Sequence, residues 1–270
     1  CLTRNTYFID LFNHGSEPVA WTAEPEQAWL TLTETSGTFQ EETRLLAGAD
    51  CTAAPPGESR AHITIRGAGR TYSVALPVFN PDPGAVAANA YVQDNGVVVI
   101  PAGQPPRDAD RDPTGLVPVH GLGRWFYALA RLPFTSGHAA DADHAPSVDY
   151  PLFIHRPGAA RVILQALPTH PINENHSLAA AISVDGGAPV AIDFEQGNDE
   201  HNQAWRRNVL RNYMQGVADI AFTKGAHTLS LHGMDPSVAV DRILLDFGGL
   251  RPCNYGPHST RYEPGTPPAD

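Results

Sequence analysis

Apolar residues along this chain fall in short runs with a period of two, separated by turn-forming residues. The pattern is clearest at Tyr72-Ser-Val-Ala-Leu-Pro-Val78, where Tyr72, Val74, Leu76 and Val78 alternate with smaller or more polar neighbours. Such spacing buries one face of a strand. In the first part of the chain it predicts strands at 7–12, 19–22, 29–33, 61–66 and 72–78. Turns are expected at Asn13-His-Gly15, Ser36-Gly37 and Gly67-Ala-Gly69. Short strands at this spacing suggest an immunoglobulin-like sandwich.

Asn80-Pro-Asp-Pro-Gly84 holds two prolines and a glycine in five residues, which stops a strand and prevents helix continuation. It divides the chain into a first unit at 1–80, a linker at 81–84, a second unit at 85–256 and a tail at 257–270. In the second unit strands are predicted at 97–100, 123–132, 148–155, 160–167, 178–184, 189–194, 217–223, 227–233 and 238–247. Residues 101–114, rich in Pro, Asp and Arg, read as an exposed loop. Leu178, Ala180, Ile182 and Val184 point one way. Asp185-Gly-Gly187 reads as a tight hairpin turn. The arrangement fits a jelly roll.

One segment departs from the β pattern. Between Glu200 and Gly216, Trp205, Val209, Leu210, Tyr213 and Met214 recur at helical spacing, with Arg206, Arg207, Arg211 and Asn212 on the other face. This predicts one short helix, or a looped turn, across an edge or an end of the sandwich, with Trp205 and Tyr213 packed inward, Asn198 or Asp199 capping its start and Gly216 its end. The fold class is therefore all-β: two β-sandwiches with one short helix.

Composition narrows the partners. The 18 Lys and Arg against 29 Asp and Glu leave a formal charge of −11 with no basic run, which disfavours nucleic acid. No apolar run approaches a membrane span. Cys1, Cys51 and Cys253 show no metal-ligand spacing; three unpaired thiols are preferred over a Cys1–Cys51 bridge. The opening on a strand suggests a chain excised from a longer one, although Cys1 is also where a lipoprotein would be acylated.

The chemistry-bearing residues point away from hydrolysis within this chain. A glycosidase needs two carboxyl groups flanking the scissile bond. Asp193 with Glu195 reads as a solvated strand end, and Asp241, followed by Arg242, as a local ion pair or turn beside Asp246. No Gly-x-Ser-x-Gly or His-Glu-x-x-His occurs. His170, Asn173, Asn175 and His176 share one loop that could hydrogen-bond sugar hydroxyls or stabilise itself. Trp125, Tyr127, Tyr150, Trp205, Tyr213 and Tyr255 are the aromatic candidates. The candidate carbohydrate-binding residues are His170, Asn173, Asn175, Trp205 and Asn208. No cofactor, metal or catalytic residue is assigned.

Several motifs occur in a telling order: Gly121-Leu-Gly-Arg124, Asp149-Tyr150, Pro168-Thr-His170, Ser183-Val-Asp185, Trp205 with Asn208-Val209, Gly225-Ala-His-Thr-Leu229, Val240-Asp-Arg-Ile243 and Gly248-Gly249. From about Gly84 to Pro257 the chain resembles the C-terminal region of glycoside hydrolase family 115, the xylan α-1,2-glucuronidases. The resemblance implies an enzyme that removes 4-O-methyl-glucuronic acid from xylan with inversion, using catalytic domains upstream of this chain. It implies a secreted or periplasmic β-sandwich accessory domain that builds a homodimer, reaches the partner's active site and contacts glucuronoxylan. In outline the second unit also resembles family-35-type carbohydrate-binding modules. Their acid-rich opening strand is replaced here by Ile100-Pro-Ala-Gly-Gln104, which removes the expected metal ligands. The alternative is a free-standing carbohydrate-binding or surface lipoprotein module.

Overall fold

The computed structural model describes residues 1–2, 6–82, 84–104, 115–172, 177–194, 203–252 and 256–263. It divides into two compact units, Cys1–Val86 with Glu263–Asp270, and Ala87–Tyr262. Both are β-sandwiches.

The first unit contains β1 (Thr6–Phe12), β2 (Val19–Pro25), β3 (Leu30–Leu32), β4 (Ser36–Phe39), β5 (Glu42–Ala49), β6 (Gly57–Gly67) and β7 (Arg70–Asn80). They form a three-stranded sheet, β1-β5-β3, and a four-stranded sheet, β4-β2-β6-β7. This is an immunoglobulin-like partition of seven strands. Trp21, Leu30, Leu45, Ile63, Ile65, Leu76 and Val78 fill the core. Tyr72, expected on the buried face of β7, is 54 % exposed. The β6–β7 hairpin turns through Ala68 (φ 47°) and Gly69 (φ 71°). Paired positive φ values give the turn a twist that matches its strands.

Two further expectations for this unit are corrected, and one strand was missed. Ser36 and Gly37 lie in β4 rather than in a turn, with Gly37 opposite Trp21. A Cβ on Gly37 would come within 3.0 Å of the Trp21 indole nitrogen, so glycine makes room for the ring. β5 escaped the alternation rule. Leu45 and Ala47 point inward, but Leu46 between them is apolar and 38 % exposed. Finally, Cys1 and Cys51 form a disulfide, with Cα atoms 5.6 Å apart, rather than remaining thiols. Cys253 lies outside the described residues.

The second unit contains β8 (Tyr91–Val92), β9 (Val97–Pro101), β10 (Leu116–His120), β11 (Tyr127–Arg131), β12 (Ser147–Ile154), β13 (Gly158–Ala166), β14 (Ala179–Val184), β15 (Val190–Asp193), α1 (Gln203–Arg211), β16 (Met214–Phe222), β17 (Gly225–His232) and β18 (Ala239–Asp246). One sheet runs β10-β11-β18-β13-β16, with β9 also on β18; the other runs β15-β14-β17-β12-β8. Leu178, Ala180 and Ile182 enter the core between them, as their spacing predicts, beside Tyr150, Leu152, Leu164, Leu229 and Ile243. Asp185 (φ 53°) and Gly186 (φ 69°) make the tight turn after β14. Thr260 and Tyr262 donate backbone hydrogen bonds to Val99 and Ala90.

The predicted strand at 123–132 begins only at Tyr127; residues before it form a hairpin tip after β10. The helix is also shorter than its periodicity suggests. Asn212 (φ 64°) takes the left-handed position that ends it, and Gly216 lies in β16. Asn tolerates that position because its short polar side chain bonds locally. Val209 and Leu210 are 49 % and 87 % exposed, so the predicted apolar face is not a core face. Met214 is buried as the first residue of β16. The expected caps Asn198 and Asp199 lie outside the described residues.

Candidate functional site

The chemistry gathers at one end of the second unit, where β13 ends and β16 and β18 begin. Ala166 closes β13 opposite both Met214 and Val240. Between Val240 and Arg242 the register against β13 shifts, because Asp241 is an extra residue in β18. A bulge of this kind re-aims side chains. On the other edge of β18, β11 pairs with Ala239 and Val240 and β9 with Arg242 onward. Asp241 thus sits at the switch between two neighbouring strands.

Asp241 is 2 % exposed. Its Oδ1 accepts a 3.0 Å hydrogen bond from the Arg124 backbone N–H. Burial pushes its carboxyl up from the ordinary range, against the lowering effects of that bond and of the Arg242 and Arg124 charges. The expected local ion pair with Arg242 is therefore replaced by an anchor for the 121–126 tip. Gly123 (φ 75°) is required there, since a Cβ would run into Asp241 Oδ1. Arg242 is 1 % exposed, lies 6.0 Å from the Trp125 ring centroid, and packs against Gly256, where a Cβ would meet its guanidinium.

From the anchored tip the Arg124 side chain reaches α1. Its Nη2 donates to the Arg211 carbonyl at 2.9 Å. Arg211 donates from Nε to the Tyr213 carbonyl at 3.1 Å and from Nη2 to Asn208 Oδ1 at 2.7 Å. Both guanidiniums lie against the Tyr213 ring, at 5.0 Å for Arg124 and 4.4 Å for Arg211. Such contacts hold a cation without neutralising it.

Among the residues expected to bind sugar, His170 and Trp205 are brought together. Their ring centroids are 4.1 Å apart at 35°. Both are half-buried, so Trp205 is a partly open ring rather than a core residue. Asn208 is the buried residue of α1, and its side-chain oxygen holds Arg211. Asn173 and Asn175, with His176, lie outside the described residues, as does Tyr255. Tyr150 is fully buried and donates to the Ala102 carbonyl at 2.7 Å.

Among the described residues the carboxylate candidates do not form a glycosidase pair. Asp241 and Asp246 are five residues apart on one strand, about 16 Å at roughly 3.3 Å per residue. That is beyond the roughly 5–9.5 Å that such enzymes use. Asp246 accepts from the Gly248 and Leu250 backbone in a turn. Asp193 is exposed on β15, and Glu195 lies outside the described residues. Ser177, His138 and Asp235, distant in sequence, do meet. However, Ser177 Oγ bonds Asp235 directly at 2.7 Å and approaches the same His138 Nδ1 that faces Asp235. A hydrolytic triad needs the serine on the opposite ring nitrogen. This cluster is a loop anchor.

Residues 90–259 match the family described as "Glycosyl hydrolase family 115 C-terminal domain". That segment is more than half of the chain. The chain belongs to glycosyl hydrolase family 115. The family match covers both the Arg124 tip and α1. Residues 3–78 match the family described as "Viral BACON domain". A search of curated proteins gives no match.

Among solved structures, the chain is similar to "A novel family GH115 4-O-Methyl-alpha-glucuronidase, BtGH115A, with specificity for decorated arabinogalactans". The identity is 22 % and the TM-score 0.38, over 53 % of this chain and 18 % of that enzyme. A family 35 carbohydrate-binding module from Clostridium thermocellum is similar at 14 % identity and TM-score 0.36, over 55 % of this chain and 97 % of the module. The Podospora anserina GH26-CBM35 β-(1,4)-mannanase is similar at 12 % identity and TM-score 0.38, over 59 % of this chain and 29 % of that enzyme.

Sequence reasoning singled out Gly121-Leu-Gly-Arg124 and Val240-Asp-Arg-Ile243 as separate motifs. It missed that Arg124, Arg211 and Tyr213 come together, because 87 residues separate Arg124 from Arg211. The Gly123-Arg124 pair within Gly121-Leu-Gly-Arg124 was the available signal.

Proposed function

We propose that this chain is the non-catalytic C-terminal accessory portion of a xylan α-1,2-glucuronidase. In this reading upstream domains remove 4-O-methyl-glucuronic acid from xylan, and the second unit serves dimerisation and contacts the polysaccharide. The observation that carries the proposal is the family match over residues 90–259. The contact role is supported by His170 against Trp205, with Arg124, Arg211 and Tyr213 at the same end of the sandwich. Partly open aromatic rings beside fixed polar groups suit the apolar faces and hydroxyls of sugars.

Export to a secreted or periplasmic location is supported by the Cys1–Cys51 bridge, since disulfides persist in oxidising compartments. No helix among the described residues is long and apolar enough to cross a membrane. The lipoprotein alternative needs the Cys1 sulfur for a thioether, and that sulfur is committed to Cys51.

Calorimetric titration with glucuronoxylan and aldouronic oligosaccharides tests the contact role. Saturable heat is expected, unchanged by a chelator and reduced in Trp205→Ala and His170→Ala. Release of 4-O-methyl-glucuronic acid by this chain alone would overturn the non-catalytic reading. Absence of heat at millimolar ligand would remove the polysaccharide contact and leave scaffolding. Light scattering tests dimerisation: a monomeric mass for the complete enzyme would exclude it.

A further inference from the structure

We propose that Arg124, Arg211 and Tyr213 form a subsite for the carboxylate of an acidic sugar residue on the bound polysaccharide. This rests on the polysaccharide-contact reading above and adds what the contact selects.

The chain carries −11 overall. In the first unit Arg44 pairs with Asp10 at 2.6 Å and Arg66 with Glu24 at 2.7 Å, while Arg60 and Arg70 stand singly on strands with no aromatic ring or second guanidinium recorded against them among the described residues. On α1 and the adjoining tip, Arg124, Arg206, Arg207 and Arg211 pair with no carboxylate among the described residues. Asp241, which feels the Arg124 charge, is buried and accepts the Arg124 backbone N–H rather than its guanidinium.

Helix capping explains only part of this. Arg124 donates one N–H to the last α1 carbonyls, where the helix end carries roughly half a negative charge. Two whole positive charges stand against that half. A guanidinium offers five N–H donors. Among the described residues Arg124 uses one side-chain donor and Arg211 two, so most donors of both forks have no partner there. The two groups are half-buried, which fixes them without sealing them from solvent.

Position is controlled as well as charge. Asp241 and Gly123 hold the Arg124 backbone, Asn208 holds the Arg211 fork, and Tyr213 lies against both. A planar fork held this way matches a carboxylate through two parallel hydrogen bonds. Tyr213 offers a ring beside the charge, and Trp205 on the same helix offers a second.

The test is calorimetry on this 270-residue chain with three ligands of equal length. They are an aldouronic xylo-oligosaccharide, the same compound with its carboxyl reduced to an alcohol, and a sulfated xylo-oligosaccharide. The reduced ligand is expected to bind about ten-fold more weakly than the acidic one, as losing a charge-assisted hydrogen-bond pair implies. Arg211→Gln and Arg124→Lys should bring the acidic ligand down to the reduced ligand's affinity. The lysine keeps the charge and the cap but loses the fork. Circular dichroism and the second unit's melting point report that these variants fold, and the wild-type comparison of acidic with reduced ligand needs no variant.

Equal affinity for acidic and reduced ligands overturns the subsite while leaving polysaccharide contact intact. So does unchanged binding in folded Arg211→Gln. Equal affinity for the sulfated ligand overturns carboxylate recognition in favour of a general anion site. If none of the three binds, the contact reading fails and the subsite with it.

Discussion

The two units each place an arginine guanidinium against an aromatic ring, and the two arrangements have opposite electrostatic outcomes. In the first unit Arg44 lies 4.4 Å from the Phe8 ring centroid on the β1–β5 ladder. Asp10 stands directly opposite Arg44 and takes both ends of its fork, at 2.6 and 2.9 Å. The pair holds the Asp10 carboxyl below its ordinary range through the hydrogen bond and then the charge of Arg44. In the second unit Arg124 and Arg211 approach Tyr213 with carbonyl and amide oxygens as side-chain partners. Ladder register brings an acid to the Arg44 guanidinium, whereas a hairpin tip meeting a helix end brings a backbone carbonyl to that of Arg124. The first arrangement completes a surface within the chain. The second leaves both guanidiniums without a carboxylate partner among the described residues.

Removing the disulfide should give the largest effect. Cys51→Ser releases a loop of about 50 residues, for which chain entropy predicts about 4 kcal/mol. Scanning calorimetry should show the transition of the first unit fall while that of the second stays. A single transition moving as a whole would mean the units do not melt independently, and the comparison would lose its footing.

Next comes the anchor of the tip. Gly123→Ala places a Cβ on Asp241 Oδ1 at a positive φ, and should cost the second unit about 1–3 kcal/mol by chemical denaturation. Asp241→Asn should cost less than Asp241→Ala, because an amide oxygen can still accept the Arg124 N–H while an alanine leaves that donor unmatched. The reverse order would mean that Asp241 acts through its charge rather than as an acceptor.

The Arg44 partner of the comparison should be quiet. Arg44→Gln is expected to leave acidic-oligosaccharide affinity unchanged in the titration that Arg211→Gln weakens. Weakening by both would show that the pairing with Asp10 does not silence Arg44.

The smallest effect concerns pH. His227 Nδ1 lies 2.7 Å from Asp185 Oδ2 beside the β14–β15 turn. Burial pulls the imidazole pKa down, but the Asp185 hydrogen bond, the Thr223 carbonyl and the Asp185 charge together raise it. Asp185 is lowered: burial opposes, and bonds from His227 and the Thr228 N–H prevail. The raised His227 adds stability that is complete below its unfolded pKa of about 6.5 and is lost as pH rises through the folded value. The lowered Asp185 adds stability present above about 3.9 and lost as pH falls through its folded value. Their joint contribution should peak between those limits and decline above neutrality. It should be a fraction of a kcal/mol, since Asp185 is half exposed and screened. A melting curve of His227→Gln as pH-dependent as wild type would exclude the pair as a contributor.

Much of the fold was legible because alternation is a local property. Leu178, Ala180 and Ile182 had to share a face wherever their strand was placed, and the turn at Asp185-Gly186 had to reverse it. β5 was hidden because apolar Leu46 sits on the open face of its sheet. α1 was read with the wrong apolar side, since Val209 and Leu210 are exposed while polar Asn208 is buried. Periodicity records where apolar residues recur, not what packs over them.

The sequence by itself determined the all-β class, the run of two sandwiches, the single helix and the family motifs, all of which follow from neighbouring residues. Only the tertiary structure decided that Cys1 meets Cys51, that Asp241 occupies a bulge and turns to the Arg124 N–H, and that Arg124 and Arg211 share Tyr213 with no carboxylate partner among the described residues. Each of those depends on strand register and on segments far apart in the chain. Residues alone do not specify such distances until two sheets have closed around a core.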